Sequence, residues 1–195
     1  MDNPLNRVVQ PVARLAAVLC GYGILILSFA IGVEVIGRKF FAFSLQGVDD
    51  FGGFMLAIAA AVGACYTLAH RGHTRIDVFL LRMSPRWQAI LNLAAMLTFA
   101  VFAGFAFWQS VSVWRESRLF MSVSDGPLQT PLVYPQGAWV FGLFLMAVFA
   151  AAYAVHAAVL FARNPGLLNK IYGPATVDEE VEAELDARRQ REGTP

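Results

Sequence analysis

Four runs of this chain are long, apolar and almost free of charge: 15–36, 51–69, 87–114 and 133–162. A helix needs about 20 mostly apolar residues to cross a hydrocarbon core of about 30 Å, and each run meets that requirement. The composition agrees, since 57% of the 195 residues are hydrophobic and only 15% are charged, which is too oily for an ordinary soluble domain of this size. The expected fold class is an all-α integral membrane protein with four transmembrane helices. They form one membrane domain over 1–163, followed by a charged tail over 164–195. The first run is expected to be retained, because it is much longer than the apolar core of about 7 to 15 residues in a secretory signal. The formal charge of +1, with its cations dispersed among loops, speaks against nucleic acid as a partner.

Orientation follows from the cations, because short loops rich in Lys and Arg stay in the cytoplasm. Arg7 and Arg14 precede the first run, Arg71, Arg75, Arg82 and Arg86 separate the second from the third, and Arg163 and Lys170 follow the fourth. These regions share a side, so both termini are expected to be cytoplasmic. The other two loops balance Arg38 and Lys39 against Asp49 and Asp50, and Arg115 and Arg118 against Glu116 and Asp125.

The basic turn "YTLAHRGHTRIDVFLLRMSPRW" has an internal order of its own. Gly72 stands where a helix end favours a left-handed residue, and Thr74 with Asp77 resembles a capping box with the shorter acid. Ile76, Phe79, Leu80 and Met83 then share one helical face, with Arg75, Asp77 and Arg82 mostly elsewhere, before Ser84-Pro85. The pattern predicts a short amphipathic helix in the membrane surface. The second external loop, with Asp125-Gly126-Pro127 and two further prolines, predicts an ordered turn. Asn164-Pro165-Gly166 is expected to stop the fourth helix, and the tail beyond it is either a solvated helix or disordered.

Ionisable groups inside a bilayer are costly and usually functional. The spans hold two, Glu34 and His156. Glu34 has Arg38 one helical turn away and is expected to pair with it. His156 is expected to lie roughly level with His70, and two helix-borne histidines can hold a haem; against that, a His near a helix end is more often a polar anchor. Cys20 and Cys65 lie in different spans with no ligand spacing around them, so no metal is expected. Asn92, Thr98, Gln109 and Ser110 can bridge helices.

Small residues form the more informative pattern. Gly53, Ala57, Ala61 and Cys65 recur every four residues in the second span, and Ala60 and Ala64 broaden the strip. Such a face lets another helix approach closely, and it serves either a partner subunit or a neighbouring span of the same chain. The residues alone describe a membrane protein with no catalytic centre, ion path or cofactor of its own, of the kind that usually serves a partner.

Residues 33 to 87 resemble the small membrane subunit of tripartite ATP-independent periplasmic (TRAP) transporters. The shared order is Arg38 followed by Phe40 and Phe41, then Ser44 and the acidic pair Asp49-Asp50, a small-residue-rich span, the turn Arg71-Gly72-His73 with Asp77, and Pro85. The family often has Glu-Glu with a nearby Trp where this chain has Asp-Asp and Gln46-Gly47, and an aliphatic pair where Thr74 and Arg75 stand. The resemblance implies a non-catalytic scaffold in a sodium-coupled secondary transporter that imports an organic acid or similar solute. Its partners would be a large multi-span subunit and a periplasmic substrate-binding protein, with membrane lipids around it in the bacterial inner membrane. On that reading Gly53, Ala57, Ala61 and Ala64 would face the partner's helices. The basic turn and surface helix, including Arg71, Gly72, His73, Arg75, Asp77, Phe79 and Arg82, would brace the cytoplasmic side. Arg38, Lys39, Asp49 and Asp50 would help to receive the binding protein. The alternatives are a haem-bearing electron carrier and a stand-alone oligomeric small transporter.

Overall fold

In the computed structural model, residues 5–70, 80, 82–173, 185 and 189 are described. The segment from Arg71 to Phe79, where most of the surface helix is expected, lies outside them, as does nearly all of the tail beyond Gly173. Five helices are bounded within the described residues: α1 (Asn6–Phe40), α2 (Val48–Ala69), α3 (Pro85–Leu119), α4 (Val133–Arg163) and α5 (Pro165–Tyr172). No strand occurs among the described residues; Val123 and Pro131 form an isolated antiparallel bridge. The first four helices are long and apolar enough to cross a membrane.

Every expected span lies inside a helix, and α1 and α3 overrun theirs at both ends. An apolar run measures the thickness of the oil, whereas a helix continues while its backbone bonds can be made. α1 therefore begins in polar residues at Asn6 and carries Pro11 inside it. A proline there cannot donate to the carbonyl of Arg7, four residues back. α3 starts where sequence chemistry places a start, with Ser84 in extended geometry and Pro85 in the first helical turn. It ends with Met121 at φ 48°, while Ser122 N–H donates to Ser117 O at 2.9 Å, a Schellman closure.

The helices stand in a row and not a square. α1 packs along α2, α2 against α4, and α4 against α3. At the α2–α4 crossing a Cβ on Gly142 would come within 3.0 Å of Ala61 Cβ, so the small residues are what let these two backbones approach. α1 is the outlier of the row. Its buried residues are Val9, Ala13, Glu34 and Gly37, near its two ends, and the apolar stretch between them is covered only in part, by α2.

α5 is a small amphipathic helix tucked against α3 and α4. The Asn164 side chain caps it by accepting from Leu167 N–H at 3.1 Å, with Pro165 in its first turn. Leu168, Ile171 and Tyr172 enter the core. Asn-Pro therefore both stops α4 and starts α5, and residues 164–173 of the expected tail belong structurally to the packed body.

Candidate functional site

The two ends of the row are built differently. At one end lie the start of α1, the end of α2, the start of α3, the end of α4 and α5; Arg7, Arg14, Arg82, Arg86, Arg163 and Lys170 all gather there. At the other lie the two connecting loops, 41–47 and 120–132.

Glu34 organises the first loop. The residue is almost fully enclosed at 4% exposure, and Oε1 accepts from Ser44 Oγ at 2.7 Å while Oε2 accepts from the backbone N–H of Leu45. Arg38 Nη2 lies 3.2 Å from Oε1, as expected from the helical spacing. That guanidinium is mostly solvent-facing, so the hydrogen bonds to the loop, and not the ion pair, explain why a carboxylate belongs there.

The loop then turns at Gly47, whose φ of 88° is readily available only to glycine. A Cβ at this position would also run into the Leu128 side chain of the second loop. Three residues on, Asp50 Oδ2 accepts from Ser124 Oγ at 2.9 Å, and the same Ser124 oxygen accepts from Thr130 N–H at 3.1 Å. Gly126 lies directly against the Asp50 carboxylate. The expected turn at Asp125-Gly126-Pro127 is present, with Gln129 N–H bonded to Gly126 O at 3.0 Å. The two loops thus form a clasp. Trp114 adds a second tie, its indole N–H donating to Val133 O at 3.1 Å from the last turns of α3.

Of the four charges expected to meet a binding protein, three lie on the surface, Arg38 among them while paired with Glu34. Arg38, Lys39 and Asp49 are exposed, whereas Asp50 is committed to the clasp. The small-residue strip on α2 divides in the same way: Ala61 is buried toward Gly142 and Ala64 is half-buried, while Gly53 and Ala57 are exposed. Cys65, on the buried part, sits with its sulfur 3.7 Å from Gly142 O.

At the opposite end the polar groups tie helices together. Tyr153 hydroxyl donates to Asn6 Oδ1 at 2.6 Å, linking α4 to α1. Asn92 bridges as expected: its Nδ2 donates to Asn169 Oδ1 at 3.1 Å, and Asn169 donates onward to Pro85 O at 2.8 Å. His156 Nδ1 lies 2.8 Å from Tyr172 hydroxyl, whereas His70 stacks on Tyr66 with its Nδ1 3.0 Å from that residue's carbonyl. The two histidines are thus engaged with different partners on different helices. Among the described residues no group of three or more His, Cys, Asp or Glu side chains is placed to hold a metal. Thr98 and Ser110 bond back to carbonyls of their own helix, and Gln109 is exposed. No local pattern marks Ser124, Leu128 or Gly142, whose roles come from distant contacts; for Asn169 and Tyr172 the local signal is Asn164-Pro165, an N-cap followed by a first-turn proline.

No curated protein sequence and no solved structure matches this chain. A family match does exist, over residues 27–160, to the family described as tripartite ATP-independent periplasmic transporters, DctQ component. The matched stretch runs from the last turns of α1 before the Glu34 loop, through the clasp, to the His156 end of α4. It covers well over half of the sequence, and the chain therefore belongs to the DctQ family, the small membrane component of TRAP transporters.

Proposed function

We propose that this chain is the static body subunit of a sodium-coupled TRAP transporter of the inner membrane, importing an organic acid or similar solute that the chain itself does not bind. It associates with the large multi-span transport subunit, and a periplasmic substrate-binding protein delivers the solute to the pair. A transport domain that moves needs a fixed body to move against, and extra helices enlarge that body and hold it in the bilayer.

The observation that carries this reading is what a set of buried and half-buried polar side chains bonds to. Glu34 holds a loop, Asn92 and Asn169 join α3 to α5, Tyr153 joins α4 to α1, and His156 meets α5. Each is committed to internal bracing. The uncovered flank of α1 and the exposed Gly53–Ala57 part of α2 are the faces offered to the large subunit, where small residues permit close approach. The clasp end, with Arg38, Lys39 and Asp49 exposed, is the periplasmic side that receives the binding protein. The cation-rich end, with the turn around Arg71, Gly72, His73, Arg75, Asp77, Phe79 and Arg82, lies in the cytoplasm.

The test is gentle affinity purification of the tagged chain from its native membranes, with mass spectrometry of what accompanies it. A roughly stoichiometric large polytopic protein supports the reading. A well-folded chain that emerges alone overturns it.

A further inference from the structure

Near the start of α1 the surface is cut by a notch of about 540 Å³ between α1 and the end of α2. Arg7, Gln10, Arg14 and Val18 line it from a single helical face, since spacings of three and four residues bring side chains into one stripe. Leu15 continues the apolar side, and His70 forms the opposite wall. That wall is fixed in place: the His70 ring is stacked on Tyr66 at 4.0 Å between centroids, and its Nδ1 is held to the Tyr66 carbonyl.

The charge of the notch is one-sided. No carboxylate lines it among the described residues, and the ion pair found among them, Arg38 with Glu34, is at the far end of the same helix. Arg7 and Arg14 are separated by two turns, about 10 Å along the axis, with the Gln10 amide between them as a further donor. One turn beyond Arg14 the stripe becomes apolar at Val18, and from Leu15 onward α1 carries no ionisable side chain but Cys20 and Tyr22 until Glu34. The boundary between headgroup and hydrocarbon therefore falls within the notch itself. A ligand that fits is an amphiphile, with an anionic head for the guanidinium groups and an alkyl chain for Leu15 and Val18. Guanidinium groups suit phosphate oxygens through paired N–H donors.

We propose that this notch is a binding site for the phosphodiester headgroup of an anionic membrane lipid, held by Arg7, Gln10 and Arg14 with the acyl chain running along Leu15 and Val18. The site depends on α1 and α2 alone, so it stands or falls apart from the transporter reading.

The test uses the purified full chain in detergent, titrated with phosphatidylglycerol or with phosphatidylcholine of the same acyl chains, and counts bound lipid by native mass spectrometry. The expected result is at least tenfold preference for phosphatidylglycerol, abolished in R7Q/R14Q and retained in R163Q/K170Q, which removes two cations from the same end but outside the notch. Equal binding of both lipids, survival of the preference in R7Q/R14Q, or its equal loss in R163Q/K170Q overturns the site. Inorganic phosphate is the competitor: if it displaces the lipid at equal concentration, the notch takes a free anion and the lipid assignment is wrong. Should the double variant fail to fold, R7Q and R14Q are read singly, each expected to lose part of the preference.

Discussion

Glu34 Oε1 accepts a hydrogen bond from Ser44 Oγ at 2.7 Å, ten residues further along the chain and on the far side of a helix end. A carboxylate near the end of a membrane helix here fixes the exit path of the chain. Replacing Glu34 by Ala leaves the Ser44 hydroxyl and Leu45 N–H without their acceptor. Replacing Arg38 by Gln removes only a solvent-screened charge. Thermal melts in detergent should show E34A several degrees below the parent and R38Q close to it; equal losses would mean that the ion pair is what matters.

The clasp makes a coupling prediction. Asp50 and Ser124 share one hydrogen bond, so D50A and S124A should each destabilise and the double variant should lose less than the sum. The expected coupling is about 0.5–3 kcal/mol by double-mutant cycle. D49A, at an exposed neighbour, should leave the melt unchanged and lower binding-protein-dependent uptake.

Gly47→Ala should destabilise by about 1–2 kcal/mol, since a β-carbon disfavours the left-handed backbone, and the contact with Leu128 adds to this. Leu128→Ala in the same chain should restore only part of the loss. Full restoration would mean that the clash alone is responsible.

α5 predicts where the chain can be cut. Removal of everything after Gly173 keeps α5 and is the reference for what α5 contributes. Removal of everything after Arg163 should destabilise strongly, because it uncovers the sites of Leu168, Ile171 and Tyr172 and strips Asn92 of its partner. Asn169→Ala alone should cost about 1–3 kcal/mol, the usual penalty for a buried polar group left unpaired.

The small-residue strip separates two effects. Gly142→Leu overpacks the crossing with Ala61 and should destabilise the isolated chain by about 1–3 kcal/mol. Gly53→Leu meets open space and should leave the isolated chain unchanged while reducing recovery of the large subunit in co-purification.

The sequence made legible what depends on short-range pattern. Four apolar runs gave four helices, Glu34 and Arg38 at helical spacing gave the ion pair, and Asp125-Gly126-Pro127 gave the turn. Asn92 as a helix bridge was legible because amides in spans need partners, although the identity of Asn169 was not. What escaped depends on contacts between distant segments. Nothing local distinguishes Asp49 from Asp50, yet one is exposed and the other bonded across 74 residues to Ser124. The strip on α2 is uniform in composition, but α4 crosses only part of it. Asn164-Pro165-Gly166 has the chemistry of a helix stop and equally of a helix start, and local pattern alone does not say that eight more helical residues follow.

The order of the row bears on how the chain is built. Ribosomes deliver α2 and α3 before α4, yet α3 finds its main neighbour in α4, and α2, beyond its packing along α1, meets α4 and not α3. Until the fourth span enters the bilayer, Ala61 and Cys65 lack Gly142 to close against and Phe107 lacks Phe144, and Asn92 waits longer still for Asn169. The last span made is thus the keystone: a nascent chain stalled before residue 133 presents unmatched small and polar faces to the lipid, the kind of surface by which membrane quality control distinguishes an unfinished product from a finished one.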